Sequence, residues 1–492
     1  MSERSYDRLY IGGEWVAPHS ARAISSIDPA TETVWAEVAE GDETDIDRAV
    51  AAAKAAMQGA WRNKITATQR GLLLYKLAEL IRRDTARLAE LETKDNGKPL
   101  RDTTAEVQRA VDWLIYFAGA ADKIQGEQIP FKPDALAYTR REPVGVVGAI
   151  LPWNSPILLY AWKIGPALAA GNAMVLKPAE QTPVTALEIA KLVQEAGFPP
   201  GVFNVIPGYG TTAGAALAKH TGVNKISFTG SYATAQKIMA LASVNLKRCT
   251  FECGGKSPHI IFADADVERA LTVAVHSAFR STGQSCSLGS RLFVQRPLYE
   301  AFVEKLAARS RRIRIGQPLD KKTHIGPQTS AEQLAKTEGY IALGKKEGAR
   351  LIAGGGRPKG FDRGYYIEPT VFADVDNRSR LAQEEIFGPV LAAIPFDTEE
   401  EVVRLANDVE YGLVAGLWTS DVSRAHRVAG QLEAGLVTVN TFRSTHWMLP
   451  YGGYKLSGIG RENGLEALNA FTELKTIVID FETAAPADPF GD

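Results

Sequence analysis

The run Val144-Gly145-Val146-Val147-Gly148-Ala149-Ile150 has the short, apolar character of a buried strand, and the residues that follow over 157–170 predict an apolar helix. The same alternation continues along the chain. Further strands are expected at 173–176, 203–206, 225–229 and 248–252, with helices at 184–196, 212–220 and 232–243. Short apolar runs separated by helices indicate βαβ units. The stretch 144–252 therefore predicts a parallel, doubly wound sheet of the α/β class.

A second α/β series lies downstream. It comprises a helix over about 266–281, a strand at Arg291–Gln295, a helix at 298–312, and strands near 390–396, 414–418 and 436–440. Upstream, apolar residues recur at helical spacing from about residue 44 to 125. Because 492 residues are too many for one core, we expect two α/β domains. The first is expected to combine residues 1–125 and 144–254, and the second to span 255–455.

Two further segments indicate a projecting arm. The Pro-interrupted stretch 126–143 predicts an extended hairpin that leaves the body of its domain. The tail Ile477-Val478-Ile479-Asp480 predicts one more strand, with no obvious partner in the sequence. Since an exposed edge strand invites pairing with another chain, we expect 126–143 and 471–492 to form an oligomerisation arm, and the protein to be a homotetramer or homodimer.

The composition of the chain argues against several classes of partner. The net charge of -1 argues against nucleic acid or an anionic membrane as the main partner. No apolar run approaches the roughly 20 residues that span a bilayer, and the polar start Met1–Arg4 does not resemble a signal peptide. Three cysteines indicate a reducing compartment, for which we expect the cytoplasm. The seven histidines never approach a ligand spacing, so no metal site is expected.

A thiol and a carboxylate carry the candidate chemistry. Cys286 follows Gly283-Gln284-Ser285, past the end of a predicted helix, where a thiolate is exposed to solvent. Cys249 and Cys253 lie within and just after a strand, where most cysteines are small hydrophobic residues. Glu252 ends the fifth strand, beside a Gly-Gly turn. A thiolate nucleophile with a carboxylate that activates water suits a covalent step followed by hydrolysis.

Polar residues follow several predicted strands, at the edge where open α/β sheets bind ligands. The amide of Asn154 is either an oxyanion donor or part of a turn closed by Pro152 and Pro156. Lys177 and Glu180 suit a ribose diol, and the carboxylate would repel a 2′-phosphate, which favours NAD over NADP. The alternative for this segment is a helix start capped by Thr182.

Three glycine-containing segments are candidates for cofactor binding. Gly208–Gly214 has the spacing GxGxxxG, for which a tight turn is the better interpretation. Gly230 and Ser231 are the better phosphate candidates, at a helix N-terminus. The run 384–390 is either a second ribose contact with an aromatic wall or a charged turn with its Phe in the core.

Together and in this order, the runs PWN, KPAEQTP, FTGS, ECGGK, GQSC and EEIFGP resemble the NAD(P)-dependent aldehyde dehydrogenase superfamily. The segment Gly452–Glu462 adds another match, and the likeness extends from about residue 8 to 480. The resemblance implies a Rossmann-like NAD-binding first domain, a catalytic second domain and a small β oligomerisation arm.

The resemblance also implies residue roles. Cys286 would attack an aldehyde to give a thiohemiacetal and then a thioester, with Asn154 holding the oxyanion. Glu252 would activate the hydrolytic water, Glu462 would act as a secondary proton relay, and Lys177 is a further relay candidate. The implied cofactor-binding residues are Pro152, Trp153, Lys177, Glu180, Gly210, Phe228, Gly230, Ser231, Glu385 and Phe387.

By the same similarity, the substrate pocket is lined by Leu159, Trp162, Ser285, Ser287 and Thr445. The tryptophans would flank an aromatic group or a cation, whereas Arg109, Arg443 and His446 would receive a carboxylate. The chain departs from the family pattern at Cys253, Ala235 and Ser281, where Leu, Gly and Asn are usual. Cys253 thus adds a second thiol near the site.

Four functions remain open at this point. The first is oxidation of an aldehyde to its acid with NAD. Acyl transfer from the thioester to coenzyme A is the alternative outcome, disfavoured because it needs no base such as Glu252. An NAD-binding structural protein and a cysteine hydrolase are the others. The structural role conflicts with the presence of a nucleophile, a base and an oxyanion donor, and the hydrolase conflicts with the cofactor motifs.

Overall fold

Two large sheets form the framework of the chain in the computed structural model, which describes residues 4–442, 444–484 and 488–491. The first sheet has eight strands, in the spatial order Gly458–Ile459, Arg248–Glu252, Lys225–Thr229, Val146–Ile150, Ala173–Lys177, Phe203–Val205, Leu9–Ile11 and Glu14–Val16. The five that run from Arg248 to Val205 in this order are parallel. They match the five strands predicted from sequence, so the doubly wound α/β sheet is confirmed.

The strand order reverses between Val146–Ile150 and Lys225–Thr229, which are neighbours in the sheet but far apart in sequence. Such a reversal leaves a crevice at the carboxyl ends of the two strands, because their connections depart to opposite sides. The segments that leave these strands carry Asn154 and Gly230. The topology thus brings two predicted motifs to one place.

The second sheet has seven strands, in the order Arg350–Ala353, Thr370–Ala373, Val390–Phe396, Arg291–Gln295, Pro258–Ile261, Val414–Trp418 and Leu436–Val439. All neighbouring pairs are parallel except the first. The predicted second α/β series is therefore confirmed as a sheet. Two smaller sheets pair Arg4–Tyr6, Thr33–Ala39 and Ala23–Asp28, and Tyr411–Gly412 with Tyr454–Lys455.

Helices cover the faces of both sheets and bury their apolar sides. Their bounds are Glu43–Gln58, Ala60–Asn63, Ala67–Arg83, Thr85–Asn96, Leu100–Ala120, Pro156–Ala169, Val184–Ala196, Ala215–Lys219, Tyr232–Ala242, Val267–Phe279, Tyr299–Ser310, Ala331–Lys346, Arg380–Gln383, Glu399–Asn407, Val422–Gln431 and Glu466–Ala470. The helix Pro156–Ala169 is buried along its whole length, as its apolar sequence predicts. No helix among the described residues is both long and apolar enough to cross a membrane.

The predicted hairpin and tail form one three-stranded sheet. Gln128–Ile129 pairs with Ala135–Pro143, which pairs in turn with Thr472–Asp480 along nine residues, from Thr472 opposite Pro143 to Asp480 opposite Ala135. The tail strand therefore has a partner that its sequence did not reveal. Thr472–Asp480 is the edge of this sheet and exposes Leu474, Val478 and Ile479.

Candidate active site

A cleft with about 1260 Å³ of open space gathers most of the predicted site residues. Its walls come from the segments that follow three strands of the first sheet, from the segment around Cys286, and from the loop that precedes Val390–Phe396. The predicted residues that line it are Pro152, Trp153, Asn154, Leu159, Trp162, Gly230, Ser231, Glu252, Ser285, Cys286, Ser287, Glu385, Phe387 and Thr445. Lys177, Glu180, Gly210, Phe228 and Glu462 are not among the lining residues.

The segment that carries Cys286 is held in an unusual backbone conformation. The helix Val267–Phe279 ends two residues earlier than predicted, and Ser281, Thr282 and Gly283 follow with φ values of 55°, 55° and 70°. A β-branched residue such as Thr282 rarely adopts a positive φ. Two hydrogen bonds hold Thr282 in this conformation. The Thr282 hydroxyl donates to the Gly326 carbonyl at 3.0 Å, and Gln328 Nε2 donates to the Thr282 carbonyl at 2.9 Å.

The thiol of Cys286 is half-buried, and its Sγ lies 3.9 Å from the hydroxyl of Tyr451. Asn154 reaches the same loop, where its Nδ2 donates to the Gln284 carbonyl at 3.2 Å. An amide group has two N–H donors, so one remains for another acceptor in the cleft. Thiol and amide are thus brought to the same part of the cleft by segments 130 residues apart.

The carboxylate of Glu252 is buried, and neither of its oxygens has a hydrogen-bond partner among the described residues. Burial, and then the negative charge of Glu462, raise the pKa of Glu252 well above its usual value. The backbone of Gly452 packs closely against this group, because a Cβ there would lie only 3.0 Å from Oε1 and 2.5 Å from the Gly460 carbonyl oxygen. An unpaired buried carboxylate in a cleft is a candidate acid or base.

An ion pair lies near Glu252. Lys163 is fully buried in the helix Pro156–Ala169 and its ammonium group contacts Oε1 of Glu462, to which Ser227 also donates at 3.3 Å. The proposed relay lysine, Lys177, makes other contacts: its Nζ donates to the carbonyls of Pro178 and Gly208, both at 2.7 Å. The lysine that contacts Glu462 is therefore Lys163, not Lys177.

The Gly-Gly turn after Glu252 joins three of the motifs. A Cβ on Gly254 would lie 2.2 Å from the Glu385 carboxylate, and one on Gly255 would lie 2.6 Å from the Cys286 carbonyl. The Gly255 N–H donates to Glu385 Oε1 at 3.0 Å. Only glycine allows this approach, which explains why the ECGGK, GQSC and EEIFGP runs converge.

Lys177 and Glu180 lie together at the end of the second strand, with Nζ 3.4 Å from Oε2. Burial lowers the pKa of Lys177, while the charge of Glu180 opposes that shift. The alternative interpretation of a capped helix is wrong in its detail, because Thr182 makes no cap. The N-cap is Pro183, without a side-chain hydrogen bond, since the chain turns into Val184–Ala196 one residue later.

Of the other candidate cofactor segments, those of Gly230–Ser231 and Phe387 line the cleft, and that of Gly210 does not. Ser231 is the N-cap of Tyr232–Ala242 and accepts a hydrogen bond from Thr234, with Gly230 beside it on the cleft wall. Residues Gly210–Gly214 form one wide helical turn, not the tight turn expected. Phe387 packs edge-on against Trp153 with ring centroids 5.2 Å apart, so it lines the cleft and is not a core residue.

Aromatic rings form the wall on the substrate side. Trp162 stacks on Trp113 at 5.6 Å and meets Tyr451 edge-on at 5.3 Å, and Trp447 packs against Trp113 at 5.5 Å. Of the three side chains considered for a carboxylate, Arg109 lines the cleft. His446 instead packs on Trp447 at 3.8 Å and is not a lining residue, and Arg443 lies outside the described residues.

Sequence reasoning missed Lys163 and Tyr451. One signal was available for Lys163: it is the single charged residue in a helix that is otherwise apolar. Such a residue needs a buried partner. Tyr451 gave no comparable signal, because one aromatic residue before a Gly-Gly pair is common in turns.

The chain is similar to known proteins along almost its whole length. The model of the aldehyde dehydrogenase family matches residues 15–477. The mitochondrial aldehyde dehydrogenases of Sus scrofa and Homo sapiens are each 49% identical to it over 96% of this chain and over 91% and 92% of their own lengths. No group of His, Cys, Asp and Glu that suits a metal ion occurs among the described residues.

Solved structures agree. The NAD+ complex of an aldehyde dehydrogenase from Bacillus cereus is 45% identical, with a TM-score of 0.95 over 97% of each chain. A betaine aldehyde dehydrogenase from Staphylococcus aureus in complex with NAD+ is 39% identical, with a TM-score of 0.97 over 99% of this chain and 97% of that one. The chain therefore belongs to the aldehyde dehydrogenase family, and it is an oxidoreductase that binds NAD and oxidises aldehydes.

Proposed function

We propose that Cys286 is the nucleophile of this oxidation. The observation that carries the proposal is the convergence of Cys286, Asn154 and Glu252 on one cleft. The Cys286 thiolate adds to the aldehyde carbon, and the new C–S bond gives a thiohemiacetal. The remaining N–H of Asn154 and the backbone N–H of Cys286 stabilise its oxyanion. Bound NAD supplies the acceptor for the hydride that leaves this carbon, and Cys286 then carries a thioester.

Glu252 acts in the second half of the reaction. Its carboxylate takes a proton from water as the oxygen attacks the thioester carbon, and the C–S bond breaks to release the acid and the thiolate. The Glu462 carboxylate receives the proton from Glu252, and the Lys163 ammonium paired with Glu462 stabilises the negative charge of both carboxylates.

The residues present fit NAD. Gly230 and Ser231, at a helix N-terminus, suit the pyrophosphate. Lys177 and Glu180 suit the adenosine ribose, and Gly210, Phe228, Pro152 and Trp153 are further cofactor-binding candidates. Glu385 and Phe387 suit the nicotinamide ribose. Residues 1–125 and 144–254 make up the NAD-binding domain and 255–455 the catalytic domain, and NAD is preferred over NADP because of Glu180. Leu159, Trp162, Ser285, Ser287 and Thr445 contact the aldehyde.

The three-stranded arm of 126–143 and 471–492 joins copies of the chain into a homodimer or homotetramer. Its edge strand exposes Leu474 at 57% and Val478 at 52%, which favours burial against another copy. Light scattering of a Val478→Asp variant, beside the unmodified protein, tests this: the variant is expected to have a smaller mass, and an unchanged mass contradicts the arm's role. We place the protein in the cytoplasm, where reducing conditions keep its three cysteines out of disulfides.

The mechanism is tested with a panel of aldehydes, following NADH absorbance with and without coenzyme A. Turnover without coenzyme A supports hydrolysis, whereas strict dependence on it identifies acyl transfer. Cys286→Ser is expected to lower kcat by roughly 10³-fold or more and to retain NAD binding in a fluorescence titration. Cys249→Ser is the matched control, since that thiol lies outside the cleft. Unchanged turnover of Cys286→Ser refutes the assignment.

A further inference from the structure

One face of the helix Leu100–Ala120 borders the substrate side of the cleft. Asp102, Glu106, Arg109 and Trp113 lie at positions i, i+4, i+7 and i+11, so they share that face. Glu106 and Arg109 line the cleft, and Trp113 stacks on the cleft residue Trp162. This face therefore presents both acidic and basic groups to whatever occupies the cleft.

The two acidic groups on this face already have cationic partners. Glu106 contacts the buried ammonium of Lys98 and accepts from the Ser155 hydroxyl at 3.1 Å. Asp102 Oδ1 lies 3.3 Å from Nε of Arg280 and 3.4 Å from Nε of Arg101. Because each carboxylate faces at least one cation, neither adds an uncompensated negative charge to the cleft.

The two arginines of the cleft wall are less fully engaged. Arg109 is exposed and has no ion-pair or hydrogen-bond partner within the described part of the chain. Arg280 makes its one ion pair through Nε, so both of its Nη groups are left without a described acceptor. Its side chain is only 19% exposed, which holds the guanidinium against the wall. A poorly hydrated guanidinium with unused N–H groups binds carboxylates well.

We propose that Arg109 and Arg280 form an anion-binding subsite, and that the preferred substrates are aldehydes with a carboxylate at the end opposite the aldehyde. The inference rests on the proposed function, since Cys286 must attack the aldehyde end in this same cleft. Arg280 lies six residues before Cys286 on the strained segment, so the subsite and the nucleophile share one loop. The other cleft cation, Lys336, lies on the side of Glu385 and Phe387, where the cofactor is expected.

The test compares matched substrates that differ in the distal carboxylate: glutaric semialdehyde against pentanal, and para-carboxybenzaldehyde against benzaldehyde. The selectivity ratio, kcat/KM for the acid divided by kcat/KM for the neutral aldehyde, is expected to exceed one for the unmodified enzyme. Arg109→Met and Arg280→Met are each expected to lower the ratio about tenfold, mainly through KM for the acid. Arg109→Lys, which keeps the charge, is expected to retain most of it.

Arg101→Met is the matched control. Arg101 belongs to the same helix and also touches Asp102, but it is 54% exposed and bonds the His324 carbonyl outside the cleft. Its selectivity ratio is expected to match that of the unmodified enzyme. Glutarate against pentanoate as inhibitors gives a second readout without turnover: glutarate is expected to bind more tightly, and to lose this advantage in Arg109→Met.

Several results overturn the inference. The first is a selectivity ratio below one in the unmodified enzyme, and the second is a ratio that neither methionine variant changes. The third is an equal loss of kcat/KM with acid and neutral substrates, which would assign Arg280 to positioning the Cys286 loop. If neutral aldehydes are still oxidised in these cases, the proposed function stands without the subsite. If no aldehyde of either kind is oxidised, the proposed function has failed as well.

Discussion

The buried ammonium group of Lys163 contacts Glu462 across 299 residues of sequence, and both charges act on the neighbouring carboxylate of Glu252. Burial, and then the negative charge of Glu462, raise the pKa of Glu252, while the charges of Lys163 and Arg461 oppose that shift. Glu252 therefore holds its proton more tightly than an exposed glutamate does. The Lys163–Glu462 ion pair therefore affects both the stability of the fold and the proton affinity of Glu252.

Removing the ammonium group should destabilise the protein strongly. Lys163→Met leaves Glu462 buried without its cation, which is expected to cost about 3–5 kcal/mol in the free energy of unfolding. Chemical denaturation measures it. The matched control is Lys191→Met, because the Lys191 side chain is half exposed and its partner Glu188 also pairs with Arg87, so this variant is expected to cost about 1 kcal/mol or less. If both variants lose the same stability, burial of the Lys163 pair has no special weight.

Replacing the proposed base should separate the two half-reactions. Glu252→Gln keeps the shape of the side chain but not its basicity, so acylation and hydride transfer proceed while hydrolysis stalls. We expect a rapid burst of NADH close to one equivalent per active site, followed by a steady rate roughly 10²–10⁴-fold below that of the unmodified enzyme. Stopped-flow absorbance measures both phases. Loss of the burst together with the steady rate would place Glu252 before hydride transfer.

The rate of hydrolysis should rise with pH. Since burial and then the charge of Glu462 raise the pKa of Glu252, the fraction of active base increases with pH over a range higher than that of an exposed glutamate. The effect on stability has the opposite sign: the contribution of this group is full below the pKa of the unfolded chain and is lost as pH rises through the folded pKa. Single-turnover deacylation rates across pH test the first statement. A flat profile, or one that persists in Glu252→Gln, argues for another base.

The sequence predicted the architecture well because most of the sheet strands are short, largely apolar runs separated by helices. Many of the cleft residues were also predictable, since the motifs that carry Asn154, Gly230 and Glu252 lie at the ends of strands. What local sequence lacked was information on distant partners: Lys163 with Glu462, Tyr451 with Cys286, and the tail strand with Ala135–Pro143. These contacts join segments at least 165 residues apart. Periodicity and turn chemistry act over a few residues and carry no such information.

Charge at Glu180 should control the choice of nicotinamide cofactor. Its carboxylate lies 3.4 Å from Lys177 at the end of a strand, where a 2′-phosphate would be repelled. Glu180→Gln removes the repulsion and leaves Lys177 to attract the phosphate. We expect kcat/KM for NADP, relative to that for NAD, to increase about tenfold, as measured by steady-state kinetics with one aldehyde. Glu195→Gln, at an exposed position on the next helix, is the control and should leave the ratio unchanged.

The walls of the cleft come from segments of both large sheets and from Tyr451, which follows the last strand of the second sheet in sequence. A chain in which only one sheet has formed holds half of these walls, so it can display secondary structure and buried tryptophans without a competent site. Recovery of NADH formation during refolding therefore marks docking of the two sheets, a late event in a topology dominated by distant contacts. The rate at which enzyme activity returns therefore reports the rate at which folding is completed.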